Sequence, residues 1–325
     1  MRSPLTRRAL LTVGVSGVSL GLLSACGLRL DTDPDIPTLD STQQLRNRIA
    51  RILSSTTPGS GDPETAGEDL AAFTKAIGPE WNPPSEFATE PAPTEEDRTF
   101  VQAAEAVSQA VFEASSRLGS GLIPVLADVA TGMTLVAGEK KPELVGTAAE
   151  LIRAGADDAS DTDKGEDGGK SEGADGSDGD DATDADDDRT KVFNAILDQS
   201  RAAAYGYERL AVNLEAKSAE RKGALARLES LGSLSGQMLE ALGEKKADPN
   251  ASAWKLDPTP TDAQSAKELA LNLEDGLASA LLPWLGGDTS AILRLWESAR
   301  TRAIFAQPQP LRFEYGEAGQ AEAKK

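Results

Sequence analysis

Apolar residues recur at steps of three and four along most of the chain after residue 40, which is the spacing of one face of an α-helix. The clearest stripe predicts a long helix that is capped by Asp188 or Thr190. Its core-facing positions are Phe193, Ile196, Ser200, Ala203, Tyr207, Leu210 and Leu214. Because these positions share one side of the helix, we expect all of them to be buried.

Three more amphipathic helices are predicted after this one. Residues that commonly begin or end helices mark their bounds. The second helix begins at Ser218 and ends at Gly243. The third begins at the capping pair Thr261 and Gln264 and ends before Pro283, and Asp288 caps the fourth. Four such helices with short or medium connections are typical of an antiparallel four-helix bundle, which we expect over residues 190–315.

Residues 41–155 also show helical spacing. Two helices are predicted over residues 41–53 and 68–77. A third begins at an N-cap at Thr94, with Asp97 three residues later. Two more are predicted over residues 122–137, with Pro124 in the first turn, and from Pro142 onward. The sequence does not decide whether this helical region packs on the C-terminal bundle or stands alone.

Residues 156–189 differ from both helical regions. Between Asp157 and Asp188 there are 15 acidic residues against two lysines, without any large apolar side chain. Such a segment buries too little surface to offset its backbone entropy, and its charges repel one another. A disordered linker is therefore predicted, with a loose cation-binding tract as the alternative. A disordered tail is predicted over residues 316–325.

The first 26 residues have the layout of a bacterial export signal. Arg7 and Arg8 precede 17 residues without charge, and Leu23, Ser24 and Ala25 lead into Cys26. The ending resembles a lipobox, in which the cysteine takes a diacylglycerol, and the paired arginines resemble a twin-arginine signal. Residues 1–25 are thus predicted as a signal peptide, removed on lipidation of Cys26, with Sec and twin-arginine export both open.

This interpretation competes with a retained transmembrane helix. A membrane span needs about 20 predominantly apolar residues, and this run is shorter and interrupted by glycines. We therefore expect a lipid anchor on the extracytoplasmic face of the cell membrane, followed by an extended tether over residues 26–40. The membrane is then a partner through the lipid on Cys26.

Composition limits both the fold and the chemistry. Aromatic residues make up only 4% of the chain, so the core must consist mainly of Ala, Leu and Val, which favours an all-α fold. The net charge of −20 argues against nucleic acid as a partner. The chain contains no histidine and one cysteine, which excludes imidazole-based catalysis and histidine-ligated metal sites. We therefore predict no catalytic residue, no metal ligand and no cofactor.

The C-terminal region resembles a known bacterial family. The residues that carry the resemblance are Arg201–Tyr207 (RAAAYGY), Glu220–Lys222 (ERK), Leu273–Leu277 (LEDGL) and the ending near Phe305. They are similar to the ferritin-like domain catalogued as domain of unknown function 4439, which occurs in exported and lipid-anchored proteins. The resemblance implies a ferritin-like four-helix bundle and no agreed activity.

The chain departs from this family and from di-iron proteins at chemically important positions. The family pattern has Glu-His just before the tyrosine motif, where this chain has Ser200 and Arg201. A di-iron site also needs Glu-x-x-His on two helices. The nearest carboxylates, Glu208, Glu215 and Glu274, are interpreted as helix-border residues that are solvated or paired with basic groups.

Aromatic residues of the C-terminal half allow two interpretations, core packing or a ligand pocket, and packing is favoured. They are Tyr205, Tyr207, Trp254, Trp284 and Trp296. Taken together, the sequence predicts a non-enzymatic, lipid-anchored envelope protein that binds an unknown envelope protein or supports the envelope. A module for a small ligand or a cation is the alternative, followed by a ferritin-like metal oxidoreductase.

Overall fold

Nine α-helices and two short strands form the regular structure of the described residues in the computed structural model. The structure describes residues 39–82, 93–118, 120–163, 181–286, 288, 290–306, 312–315 and 321–323. The helices are α1 Ser41–Ser54, α2 Ala66–Ile77, α3 Phe100–Ala114, α4 Ile123–Ala137, α5 Glu143–Asp163, α6 Asp181–Leu210, α7 Ala219–Leu242, α8 Ala263–Leu285 and α9 Ala291–Phe305. The strands are β1 Phe313–Tyr315 and β2 Ala321–Ala323. The all-α prediction is thus confirmed.

The predicted core stripe is confirmed for α6, because its six positions from Phe193 to Leu210 are buried. The seventh, Leu214, is also buried but lies beyond the end of the helix. Ser218 caps α7 by accepting the backbone N–H of Arg221 at 3.1 Å. Gly243 ends that helix with a φ of +68°, a conformation that side chains with a Cβ rarely adopt. α6 and α7 pack side by side, and α6 also packs on α8.

The predicted N-cap of the helix after residue 93 was wrong, because the N-cap is Thr99 and not Thr94. α3 begins after Thr99, whose side chain and that of Gln102 form a reciprocal capping box, and Thr94 lies in an extended segment. That segment is held by hydrogen bonds between the backbones of Arg98 and residues 55 and 57. Glu95 lies in this extended segment and forms ion pairs with Arg48 and Arg98.

The bounds of α8 and α9 also differ from the prediction. Asp262 with Ser265 forms the capping box of α8, in place of Thr261 with Gln264. Pro283 lies inside α8, where burial of the two residues that follow it offsets the missing backbone hydrogen bond. α9 begins at Ala291, just after Asp288. The carboxylate of Asp288 accepts the backbone N–H of Ser290 at 2.8 Å and the indole N–H of Trp284 at 2.9 Å, so it satisfies a backbone donor at the start of α9, as a cap does, and links this turn to the end of α8.

The acidic segment is helical at both ends, which corrects the prediction of disorder over residues 156–189. α5 continues to Asp163 and α6 already begins at Asp181, well before Asp188 or Thr190. Extending an existing helix avoids the cost of nucleation, and acidic residues at the start of α6 are favoured by the helix dipole. Residues 164–180 lie outside the described residues.

α4 lies at the centre of the domain, with 14 of its 15 residues buried. It contacts α2, α3, α5, α8, α9 and both strands. The described residues from Leu39 onward accordingly form one compact unit with a single core, so the N-terminal helices pack on the C-terminal ones. No helix in the described part of the chain is long and apolar enough to cross a membrane.

The C-terminal segment returns to the N-terminal helices. β1 pairs antiparallel with β2, Phe313 is fully buried, and β1 contacts α2 and α4. The ring of Tyr315 lies 5.0 Å from the guanidinium of Arg46, which also donates to the carbonyl oxygens of Ile77 and Pro79. The predicted disordered tail is therefore wrong for residues 321–323, because backbone pairing with β1 orders them.

The start of α3 is capped from a distant loop by Asp62. Its carboxylate accepts the backbone N–H groups of Gly59, Phe100 and Val101 at 2.7, 2.9 and 3.0 Å. Burial raises the pKa of Asp62, but these three hydrogen bonds outweigh it, so the pKa lies below its usual value. The charged carboxylate is thus the form that stabilises the fold.

We expect Asp62→Ala to lower the free energy of unfolding by about 1–2 kcal/mol at pH 7, because α3 loses its acceptor. Since the pKa is lower in the folded state, this contribution is present above the unfolded-state pKa and disappears as pH falls through the folded-state pKa. Urea unfolding at pH 7 and below about pH 3 measures both effects. Asp97→Ala, at an exposed carboxylate in the extended segment before α3, is the control and should change stability by less than about 0.5 kcal/mol. Equal losses for the two variants would contradict the role of Asp62.

Candidate functional site

A buried pair of opposite charges joins α7 to α8. The guanidinium of Arg227 donates two parallel hydrogen bonds to the carboxylate of Glu274, from Nε to Oε1 at 2.9 Å and from Nη2 to Oε2 at 2.8 Å. The exposed fractions of these side chains are 2% and 0%. A bidentate pair of this kind fixes the relative position of two helices because its geometry is planar and directional.

α6 contributes a third member to this charged centre. The hydroxyl of Tyr207 donates to Glu274 Oε1 at 2.7 Å. Burial and the neighbouring Glu274 carboxylate raise the pKa of Tyr207 well above its usual value, so the hydroxyl stays protonated. Burial lowers the pKa of Arg227, but the Glu274 carboxylate outweighs it and raises the pKa overall. The centre therefore holds one cation, one anion and one neutral donor.

The positions of these residues show why the helix-border interpretation of Glu274 is wrong. Glu274 follows Ala270 by four residues and precedes Leu277 by three, so it lies on the buried stripe of α8. Arg227 likewise follows Ala224 by three residues and precedes Leu231 by four, so it lies on the buried stripe of α7. The predicted pairing with a basic group holds, but the pair lies in the core. By contrast, Glu208 and Glu215 are exposed, as predicted.

A polar chain runs from the charged centre to the surface. Arg227 Nη1 donates to Ser230 Oγ at 3.0 Å, and Ser230 donates to Glu297 Oε2 at 2.8 Å. The same Glu297 oxygen accepts from Arg294 Nη1 at 3.1 Å. The two carboxylates on this path, Glu274 and Glu297, are thus balanced by the guanidinium groups of Arg227 and Arg294.

Asp128 on α4 holds the C-terminal segment in a second polar contact. Its Oδ2 atom accepts the backbone N–H groups of Arg312 and Phe313, the latter at 3.0 Å. The side chain of Arg312 donates to Ser298 Oγ at 3.0 Å. Burial lowers the pKa of Arg312, while Asp128, Glu274 and Asp275 oppose that shift. This contact connects α4, α9 and the C-terminal segment.

The charged centre supplies no open position for chemistry. Both Glu274 oxygens accept from Arg227, and one also accepts from Tyr207. Within the described residues, no three acidic or cysteine side chains form a group that could hold a metal ion. The arrangement is that of a structural hydrogen-bond network, because every strong donor and acceptor in it faces another protein group.

The aromatic residues do not converge on one pocket. Tyr205 stacks near Trp254, Trp284 contacts Phe193 and Trp296 contacts Phe112, each pair at a ring distance of 5.5 to 6.2 Å. These pairs lie in different parts of the domain, and four of their six rings are buried in the core, those of Phe112, Phe193, Trp284 and Trp296. Trp296 also lines an open cleft.

That cleft lies between α5, α7 and α9 and encloses about 330 Å³. Arg153, Arg227 and Arg300 line it together with Glu297, and its apolar walls include Trp296 and Ile304. Arg153 and Arg300 are exposed, and neither forms an ion pair within the described residues. Sequence analysis missed this site, because Arg153 and Arg300 are 147 positions apart and each resembles an ordinary surface arginine.

The predicted lipidation and export residues lie outside the described residues. They are Arg7, Arg8, Leu23, Ser24, Ala25 and Cys26, and most of the predicted tether falls in the same region. The described end of the tether, Asp40, is the N-cap of α1. In comparisons with protein-family models, curated proteins and solved structures, the chain matches none of them. The family resemblance inferred from the sequence stays a prediction.

Proposed function

We propose that this chain is a lipid-anchored, non-enzymatic protein of the bacterial cell envelope that binds a helix of another envelope protein through the outer face of α7. The proposed anchor is the lipid on Cys26, on the extracytoplasmic side of the membrane. The observation that carries the binding proposal is a stripe of exposed leucines and glycines on α7, called here the outer stripe: Leu225, Gly232, Gly236 and Leu239.

The outer stripe combines features that suit contact with another helix. Leu225 and Leu239 are 53% and 39% exposed, and the space around Gly232 and Gly236 is open. Each exposed glycine in a helix costs about 0.5–1 kcal/mol relative to alanine. Glycines four residues apart allow a second helix backbone to approach closely, and flanking leucines supply apolar contact area.

The charged centre supports the non-enzymatic part of the proposal. A general acid, base or nucleophile must reach a substrate, whereas Glu274 is fully buried and bonded to Arg227 and Tyr207. In a di-iron protein, carboxylates in the bundle core bind metal. Here a guanidinium compensates the charge of Glu274, which disfavours the ferritin-like oxidoreductase.

We also propose a ferritin-like four-helix arrangement for α6 to α9. Pairwise contacts run from α6 to α7, from α7 to α9, from α9 to α8 and from α8 back to α6. A closed ring of four packed helices is what an antiparallel bundle requires. The cation-binding alternative depends on the acidic segment, much of which lies outside the described residues.

Site-specific photo-crosslinking in cells tests the binding proposal. With the crosslinking residue at position 239, we expect the anchored chain to capture one envelope protein. Cys26→Ala should reduce this capture at least about tenfold, because the chain is then no longer held near the membrane. Position 212 is the matched control, because Val212 is apolar and 70% exposed but lies off the outer stripe.

Gly236→Leu separates binding from folding. The added side chain occupies open space, so the variant should keep or raise its thermal midpoint while blocking close approach of the partner helix. We expect crosslinking from position 239 to disappear in this variant. Equal crosslinking from positions 239 and 212, or capture that is unchanged by Gly236→Leu, would contradict the proposal.

A further inference from the structure

The cleft between α5, α7 and α9 has excess positive charge in a strongly acidic protein. The chain as a whole carries a net charge of −20, yet Arg153 and Arg300 face this cleft without ion-pair partners among the described residues. The one carboxylate in the lining, Glu297, already accepts from Ser230 and Arg294. Two guanidinium groups are therefore available to an anion from solution.

The same cleft offers an apolar surface beside these guanidinium groups. Ile304 is 41% exposed at its edge, and Trp296 and Leu293 line it as well. Gly223 keeps this wall in place, since a Cβ at that position would lie 2.7 Å from Ile304 Cδ1. An exposed isoleucine beside unpaired arginines matches a ligand that is charged at one end and apolar at the other.

We infer that this cleft binds a small organic anion, with its carboxylate or phosphate group held by Arg153 and Arg300 and its short apolar group against Trp296 and Ile304. A volume of about 330 Å³ is near the lower end for small-molecule pockets, about 300–1,000 Å³, so the ligand is a single short chain. This binding site is independent of the proposed partner contact, because it uses the side of α7 that faces α9.

Isothermal titration calorimetry of the full chain carrying Cys26→Ala tests this inference, since that variant needs no detergent. Octanoate and octyl phosphate are the probes, and they distinguish a carboxylate from a phosphate head group. Acetate and inorganic phosphate serve as head groups without the apolar chain. We expect saturable 1:1 binding of at least one eight-carbon probe, at least about tenfold tighter than that of its head group alone.

Variants assign the binding to the cleft. Arg153→Gln with Arg300→Gln should weaken binding of the probe at least about tenfold, because each arginine supplies charged hydrogen bonds. Ile304→Ser should weaken binding of the eight-carbon probe and leave binding of the head group unchanged. Lys75→Gln is the control, since it removes one positive charge from an exposed site on α2. Neither arginine has an ion-pair partner in the described residues, so the double variant should fold normally.

The indole N–H resonance of Trp296 provides a local readout. The chain has four tryptophans, and we expect the probe to shift the signal of Trp296 and not those of Trp81 or Trp254. Absence of saturable binding for both eight-carbon probes, or equal affinity in the double arginine variant, would overturn the inference. Either result would leave the crosslinking from the outer stripe unaffected, so the two proposals fail separately.

Discussion

Replacing Glu274 by leucine is expected to lower the free energy of unfolding by about 3–5 kcal/mol. Arg227 would then keep a buried positive charge without its carboxylate, and Tyr207 would lose its acceptor. Arg227→Met should cost a similar amount, because it leaves the buried Glu274 carboxylate unpaired. Urea unfolding of the full chain carrying Cys26→Ala measures both losses.

A triple variant tests the physical reason for this loss. Tyr207→Phe, Arg227→Met and Glu274→Leu together replace the charged centre by apolar side chains, so no polar group is left unpaired. Stability should return to within about 2 kcal/mol of the unmodified chain, because burying an ion pair costs desolvation energy that its attraction repays only in part.

A partly exposed ion pair at the surface provides the matched control. Lys267 Nζ lies 2.9 Å from Glu220 Oε1 on the surface between α7 and α8. Glu220→Gln should cost less than about 1 kcal/mol, as exposed pairs are screened by water and salt. If Glu274→Leu costs no more than Glu220→Gln, the charged centre does not hold the helices together.

Phe313→Ala is expected to be almost as destabilising, at about 3–5 kcal/mol. The ring is fully buried, and β1 contacts α2 and α4. Removal of the ring leaves a cavity in the core and weakens the hold of Asp128 on the backbone of the C-terminal segment. Limited proteolysis and urea unfolding should both report the change.

Leu239→Ala is the control for this prediction, because Leu239 is a large apolar residue on the surface. Its substitution should change the free energy of unfolding by less than about 0.5 kcal/mol. A loss below about 1 kcal/mol for Phe313→Ala would mean that the C-terminal segment is not part of the core.

Local periodicity was enough to predict the helices but not their ends. The stripe from Phe193 to Leu210 is buried as predicted because 3.6-residue spacing fixes the face of a helix. Thr94 and Thr99 both have a hydroxyl that can cap a helix, and contacts with a distant loop determine that α3 begins after Thr99. Such contacts cannot be predicted from the neighbouring sequence.

The candidate sites depended on contacts between distant parts of the chain. The sequence pattern could have predicted the charged centre, since Arg227 and Glu274 fall on the buried stripes of their helices. No sequence pattern predicts the cleft, because Arg153 belongs to one half of the chain and Arg300 to the other. The docking of β1 was equally hidden, since three residues are too few to show an alternating pattern.

The contact between Asp128 and residues 312 and 313 joins positions 184 and 185 apart in sequence. Loop closure over such a separation is slow, and it requires that nearly the whole domain has been synthesised. Until then α4, which is buried on all sides in the finished domain, exposes apolar surface. The nascent chain therefore has a long period in which this apolar surface is open to binding by chaperones.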